Sequence, residues 1–597
     1  MRRPSSARRR FRIPTALAGL LASSAAFGVT VVVTSTADVA TNCASTGQPG
    51  PRGEGCTLRD AILFSNANPQ PQAFANLIQF DIQGPAPYTI GLGDLGSGVP
   101  LPAITTGTTV DGYSQPGAFP ASCGICSDAN ILIELQGDAA ADPLLHVTGG
   151  TGTLIRGLLL NGQGSDQDPY GAPRSIVLDS PFNVVAGNWI GIGYTGNFVG
   201  LTTLGNVTVN SGDNQIGGSD PADHNLMGVE TPTAGGMIVV AGSGNRIQGN
   251  QIGTNSAGFT LDRLGPVGGG IAIRVTGDDN FIGGSPAERN QIAGHSTGIL
   301  FFGGGAFANV VEGNYIGTDS HGGNGADPNT DGIGLQDASG NLIGALTAGN
   351  RIAFNRDTGI QVSGSSQGNT ICCNSIFANG SNLGNGNLGI DLIDQGVPGV
   401  TFNDACDGDG GPNGLQNFPS LTGAATIRST THIQGTLNST PSTSFRIQFF
   451  ANTQCDPSGF GQGETFVAET FLATDANCNL SFSVPVFPAI PGGQFVTATA
   501  TALSTGDTSE FSACQPVLVP QHQQINGAVQ SLDPAARTLG LSTASGVLTI
   551  RTDEDTKFRK SHRNVDFEAL AVGDTAEVKE SPLGDGSFLA DKVTVPQ

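Results

Sequence analysis

At 597 residues the chain is too long for one hydrophobic core, so several domains are expected. Charged residues make up only 13% while glycine reaches 89, a balance that suits many tight turns and uncharged strands rather than helices, and ordinary hydropathy argues against disorder. The net charge of −23 disfavours nucleic acid and anionic membrane as partners, and polyanionic sugars too unless a divalent cation intervenes.

The chain opens with a basic head (Arg2, Arg3, Arg8, Arg9, Arg10 and Arg12) and an apolar stretch from Ile13 to about Phe27, with Ser24, Ala25 and Ala26 at its end. This reads as a signal peptide over 1–26, not a membrane anchor, because Ser23 and Ser24 interrupt the run. No later stretch is apolar enough to span a bilayer, so the mature protein is expected to be secreted or held at the extracellular surface. Ten cysteines, an even count in an exported chain, read as disulfides, with a few buried free thiols as the alternative. Cys43–Cys56 is the favoured pair. Cys123-Gly-Ile-Cys126 is expected to be a local staple, not a redox or zinc motif.

A motif then recurs: Asn183-Val-Val-Ala-Gly-Asn188, Asn245-Arg-Ile-Gln-Gly-Asn250, Asn309-Val-Val-Glu-Gly-Asn314, and degenerately Asn369-Thr-Ile-Cys-Cys-Asn374. Two further tracks begin at Asn214, Asn280 and Asn341, and at Asn225, Asn290 and Asn350. The interval from third track to first predicts a step of about 20 residues, three to each larger repeat, as in one coil of a solenoid. Alternating apolar residues read as short strands, glycine supplies the turn, and asparagines at one point of successive coils can stack in a hydrogen-bonded ladder. Leucine-rich repeats fail for want of their leucine frame.

With Val29–Asp38 and Cys56-Thr-Leu-Arg-Asp-Ala-Ile62, the chain resembles bacterial exported right-handed parallel β-helix proteins that begin with a Cys-Ser-Leu-Arg-Glu-Ala motif; Thr57 and Asp60 are departures. The resemblance covers roughly 29–518. Thr57-x-x-Asp60 also predicts a helix N-cap, with Ala61, Ile62 and Phe64 on the apolar side of a short helix covering the solenoid's open edge. The N-terminal cap and first coils are placed at 27–130 and the β-helix at 131–400, the pattern fading after Gly389-Ile-Asp-Leu392.

Next, Asn403-Asp404-Ala-Cys406-Asp407-Gly-Asp409 offers Asp404, Asp407 and Asp409 as ligands for calcium; a solvated acidic turn is the alternative. Alternation over 415–518 predicts a β-sandwich, with Cys455 tied to Cys514 and Cys478 left over; Gln416-Asn-Phe-Pro419 and Thr508–Cys514 resemble the module that commonly follows these β-helices. All four lysines (Lys557, Lys560, Lys579 and Lys592) lie in 521–597, which reads as strands and resembles a small β-barrel domain of unknown function. The fold class is therefore all-β: a right-handed parallel β-helix solenoid, a β-sandwich and a small C-terminal β-barrel.

β-Helices host lyases, hydrolases and non-catalytic adhesins, so fold leaves activity open. Arg274, Asp278 and Asp279 are weak catalytic candidates, as are Arg351, Arg356 and Asp357, against the plainer reading of turns and surface ion pairs. No carboxylate pair among Asp319, Asp327, Asp391 and Asp394 stands out, and His146, His224, His295 and His321 are scattered. Trp189 and Tyr315 share a repeat position, where packing is preferred to sugar stacking. The expectation is a non-catalytic surface or adhesion protein that takes polysaccharide or cell-surface glycan; a polysaccharide lyase or glycoside hydrolase is the alternative.

Overall fold

Strands of two to six residues, each too short to bury much alone, gain stability here by stacking on the next coil. The computed structural model describes residues 28–39, 55–71, 75–93, 99–162, 174–199, 206–228, 235–263, 270–380, 388–520, 522–583 and 587–596. The segment expected to be a signal peptide and Cys43 lie outside them.

Among the described residues, three parallel sheets run the length of the solenoid. The first has 11 strands, from Thr30–Val33 to Thr370–Ile371; the second has 10, from Tyr88–Leu92 to Ser375–Phe377; the third has 9, from Leu145–Val147 to Ile390–Leu392. Register places like above like: Ile216, Ile247, Ile282 and Val311 align in the first sheet, and Ile252, Ile292, Ile316 and Ile352 in the second, all fully buried. Each such side chain contributes about 1.5–3 kcal/mol by leaving water.

The asparagines form ladders along the corners. Asn183, Asn214, Asn245, Asn280, Asn309, Asn341 and Asn369 lie in one line, each backbone N–H donating to the Oδ1 of the next at 2.8–3.1 Å. The residue before each adopts positive φ, as Asp213, Gly244, Asp279 and Ala308 illustrate. A second line joins Asn188, Asn225, Asn250, Asn290, Asn314, Asn350 and Asn374. A third, outside the three sequence tracks, runs from His295 through Asn329 and Asn355 to Asn379.

These lines correct the coil length. Neighbours on the first ladder are 28 to 35 residues apart, so one coil has about 30 residues, not 20, and the larger repeat holds two coils, not three. Spacings on the second ladder alternate, 37, 25, 40, 24, 36 and 24. The cause is a corner that is short in one coil and carries extra residues in the next. The 20-residue interval from Asn225 to Asn245 joins two different ladders.

Both ends are closed. At the N-terminal end, helix Leu58–Ala67 starts at Thr57, whose side chain accepts from the Asp60 N–H; Ala61 and Ile62 are buried and Phe64 half-buried. Buried Arg59 is held by Asp38 through two 2.8 Å bonds and by the carbonyls of Val99 and Pro100. At the other end the following module covers each sheet. Thr508 Oγ1 accepts from Ile371 N (3.0 Å), Gly463 exchanges two 2.7 Å bonds with Ile376, and Glu510 accepts from Leu392 N (3.0 Å). Asn413 and Gln462 extend the first and third ladders by one rung. Exposed strand edges invite association, and here the last strand of each sheet spends at least one edge backbone group on the following module.

That module is the sandwich. Thr465–Ala473, Ser444–Asn452 and Phe495–Ala502 form one side, Ser420–Ile427, Thr430–Asn438 and Asn479–Val486 the other, and Gln515–Leu518 pairs with both. Cys455–Cys514 is a disulfide as expected, but Cys478 is not left over: it pairs with Cys406, tying the acidic loop to the sandwich. Cys123–Cys126 is the expected local staple, and Cys56 is also disulfide-bonded. The last seven strands close into a barrel where Phe588–Val595 pairs with Gly546–Arg551 as well as its other neighbours. Among the described residues no helix is long and apolar enough to cross a membrane.

Candidate functional site

The three carboxylates of the acidic loop come together. Asp404, Asp407 and Asp409 each place an oxygen within 4.8 Å of the others. Two ligands facing each other across a calcium ion, each at about 2.4 Å, are separated by about that distance. The loop owes its shape to local chemistry. Cys406 and Asp407 both take positive φ, and the Cys406–Cys478 disulfide pins the turn. Asn417 clasps it, accepting from Asp404 N (3.1 Å) and donating to the Asp404 carbonyl (2.9 Å).

Asp404 accepts from Gly408 N at 3.1 Å; Asp407 accepts from Asn417 N at 2.7 Å and Ser439 Oγ at 3.0 Å. Burial, with Asp409 and Asp404 nearby, pushes Asp407 up to about 6. Burial and the charges of Asp404 and Asp394 raise Asp409 as well. Carboxylates that disfavour one another's charge are the donor set a hard cation relieves. Three carboxylates supply only part of the six to eight oxygens that a calcium ion takes.

The catalytic candidates of the β-helix do not converge in this way. Arg274 sits mid-strand on the outside of the third sheet, its guanidinium 5.0 Å from the Phe302 ring. Asp279 occupies a positive-φ corner beside ladder residue Asn280, and Asp278 accepts a hydrogen bond from Ser243 Oγ. Among the described residues, no ion pair joins Arg274 to either. Arg351 lies over Phe377 at 4.6 Å and donates to the Gly322 carbonyl. Asp319 accepts from the N–H groups of His321, Gly323 and Gly325, shaping its own loop. Trp189 is 6% exposed, packed against Leu159, Leu226 and Leu261 with Nε1 donating to Ser127 Oγ (3.0 Å), which agrees with a packing role.

Two features lay outside the sequence reading. Buried carboxylates gather where solenoid meets sandwich: burial raises Asp391 to about 7 and Glu510 to about 8. A cavity of about 300 Å³ opens between sandwich and barrel, lined in part by Arg428, His432, Arg551 and Asp553. Arg428 bridges the two domains through Asp553 (2.8 Å) and Asp591 (3.1 Å).

Residues 526–594 match a family described as a domain of unknown function, DUF5666, in agreement with the barrel resemblance. No curated protein matches the chain. Among solved structures there is similarity to ORF18 of Geobacillus virus E2, at 11% identity and a TM-score of 0.27, over 87% of this chain and 85% of that one. A superposition that loose transfers no activity.

Proposed function

We propose that this is an exported, non-catalytic β-helix protein of the bacterial surface, an adhesion-type rod that presents its coil faces to polysaccharide or cell-surface glycan. One observation carries the reading: three parallel sheets stacked coil on coil and closed at both ends by the chain itself. At about 4.8 Å per coil the first sheet spans roughly 50 Å. A rod of that length offers an extended, repetitive face, the geometry by which a solenoid holds a polymer. The disulfides agree with an oxidising, extracellular setting.

Calcium, in this reading, is held by Asp404, Asp407 and Asp409 and stiffens the junction between rod and sandwich. Arg274, Asp278 and Asp279 serve the fold: the arginine packs on Phe302, and the aspartates shape a corner.

The test pairs binding with turnover. The purified protein is co-sedimented with a panel of insoluble polysaccharides and cell walls, while the same mixtures, with and without calcium, are assayed for unsaturated products and new reducing ends. Retention without product is expected. Product formation that Arg274→Ala abolishes would replace this reading with a lyase or hydrolase.

A further inference from the structure

Among the described residues two cysteines are not disulfide-bonded, Cys372 and Cys373, which are adjacent in sequence and buried at the last coil. Their position in the repeat is informative. The residue before the second-ladder asparagine is glycine at the other short corners, with φ 65° at Gly187, 67° at Gly249 and 68° at Gly313. Cys373 takes that place before Asn374 and holds the same left-handed backbone, φ 61°. A side chain there is strained, whereas glycine is not. A cysteine at this glycine position, beside a second cysteine, is a departure from the repeat.

The two Sγ atoms lie 3.1 Å apart under the sandwich strand Ser444–Asn452, with Gln448 Nε2 3.2 Å from Cys373 Sγ. The other cysteines of the described residues are all disulfide-bonded, which points to an oxidising compartment. We propose that Cys372 and Cys373 form a vicinal disulfide in the exported protein, a redox site that fixes the last corner of the β-helix against the sandwich. The hydrogen bond from Cys373 holds the Cys372 thiol below the usual range, which suits it as the attacking sulfur.

The oxidant is a disulfide-carrying thiol oxidoreductase of the export compartment, acting before the sandwich docks. The Cys372 thiolate attacks the carrier disulfide, forming a mixed disulfide and releasing one carrier thiolate. The Cys373 thiolate then displaces the second. One Cys372–Cys373 bond forms, the carrier bond is reduced by two electrons, and the two thiol protons end on the carrier.

The full chain, purified without reductant, is unfolded in an alkylating agent, digested at acid pH, and the peptide holding both residues is weighed. The expected peptide carries no label, is about 2 Da lighter than the dithiol, and takes two labels after reduction. Label on both sulfurs before reduction, or a cross-link from either to another cysteine, overturns the proposal. Cys372→Ser guards against a silent failure to react: it should expose one label on Cys373 without reductant, and absence of that label also overturns the assignment.

Discussion

Removing one rung of the first ladder tests the energetics of the whole solenoid, and Asn280→Ala does so at its centre. The Asn280 side chain is fully buried; its Oδ1 accepts from Asn245 N (2.9 Å) and Asn245 Nδ2 (3.1 Å), and its Nδ2 donates to Asn309 Oδ1 (3.0 Å). Alanine leaves a backbone N–H and an amide N–H of Asn245 without acceptors inside the protein. A buried donor deprived of its partner costs about 1–3 kcal/mol, so the loss should be about 3–5 kcal/mol once the small void is included. Asp279→Asn, one residue away but exposed and equally able to adopt positive φ, should stay within about 0.5 kcal/mol. Denaturant unfolding of both variants gives the comparison, and amide exchange locates the damage, which should centre on the coils bearing Asn245 and Asn309. A loss under about 1 kcal/mol for Asn280→Ala, or equal losses for the two variants, would refute the claim that the ladder is a main stabilising element.

The acidic junction should make stability depend on pH. Glu510 titrates at about 8 in the folded protein, above its ordinary value, so its contribution is complete below about 4.5 and is lost as pH rises through about 8. The melting temperature should therefore fall between pH 5 and pH 9, and Glu510→Gln should flatten that slope even if it lowers stability throughout; an unchanged slope counts against the assignment. Calcium should raise the melting temperature of the parent but not of Asp407→Asn, as read by calorimetry with and without a chelator; an equal rise in both removes the site. Arg428→Ala should loosen the barrel from the sandwich by breaking its bridges to Asp553 and Asp591, seen as faster proteolysis near residue 520 with the solenoid's own melting unchanged.

Much of the fold is legible because the solenoid repeats its instructions. Asn-x-Ile-x-Gly-Asn states the buried residue, the turn and the ladder in six positions, and the structure places those asparagines in lines. Coil length is harder to read because the insertion at alternate corners changes the spacing of one ladder but not the other. The interval from Asn225 to Asn245 looked like a repeat when it was a passage between corners. The third ladder is hidden for a different reason: its first rung, His295, is not an asparagine, and the rungs Asn329, Asn355 and Asn379 follow at unequal intervals of 34, 26 and 24 residues. In the acidic loop, three aspartates in six residues were visible, but the partner of Cys406 was not. Cys478 lies 72 residues away across the sandwich, and only the fold brings the two together. The closing role of Thr508 and Glu510 was equally out of reach, since it depends on where the next domain docks.

The central claim is that coils of about 30 residues stack in register on asparagine ladders, two coils to each sequence repeat. Deleting residues 245–308 joins Gly244 to Asn309, one equivalent corner to another, and removes two whole coils. Small-angle scattering should show a folded particle about 10 Å shorter that melts cooperatively. Deleting only 20 residues from Asn225 to Gly244 should instead put the ladders out of line and unfold the rod. A folded product from the 20-residue deletion, with collapse of the two-coil one, would contradict the account.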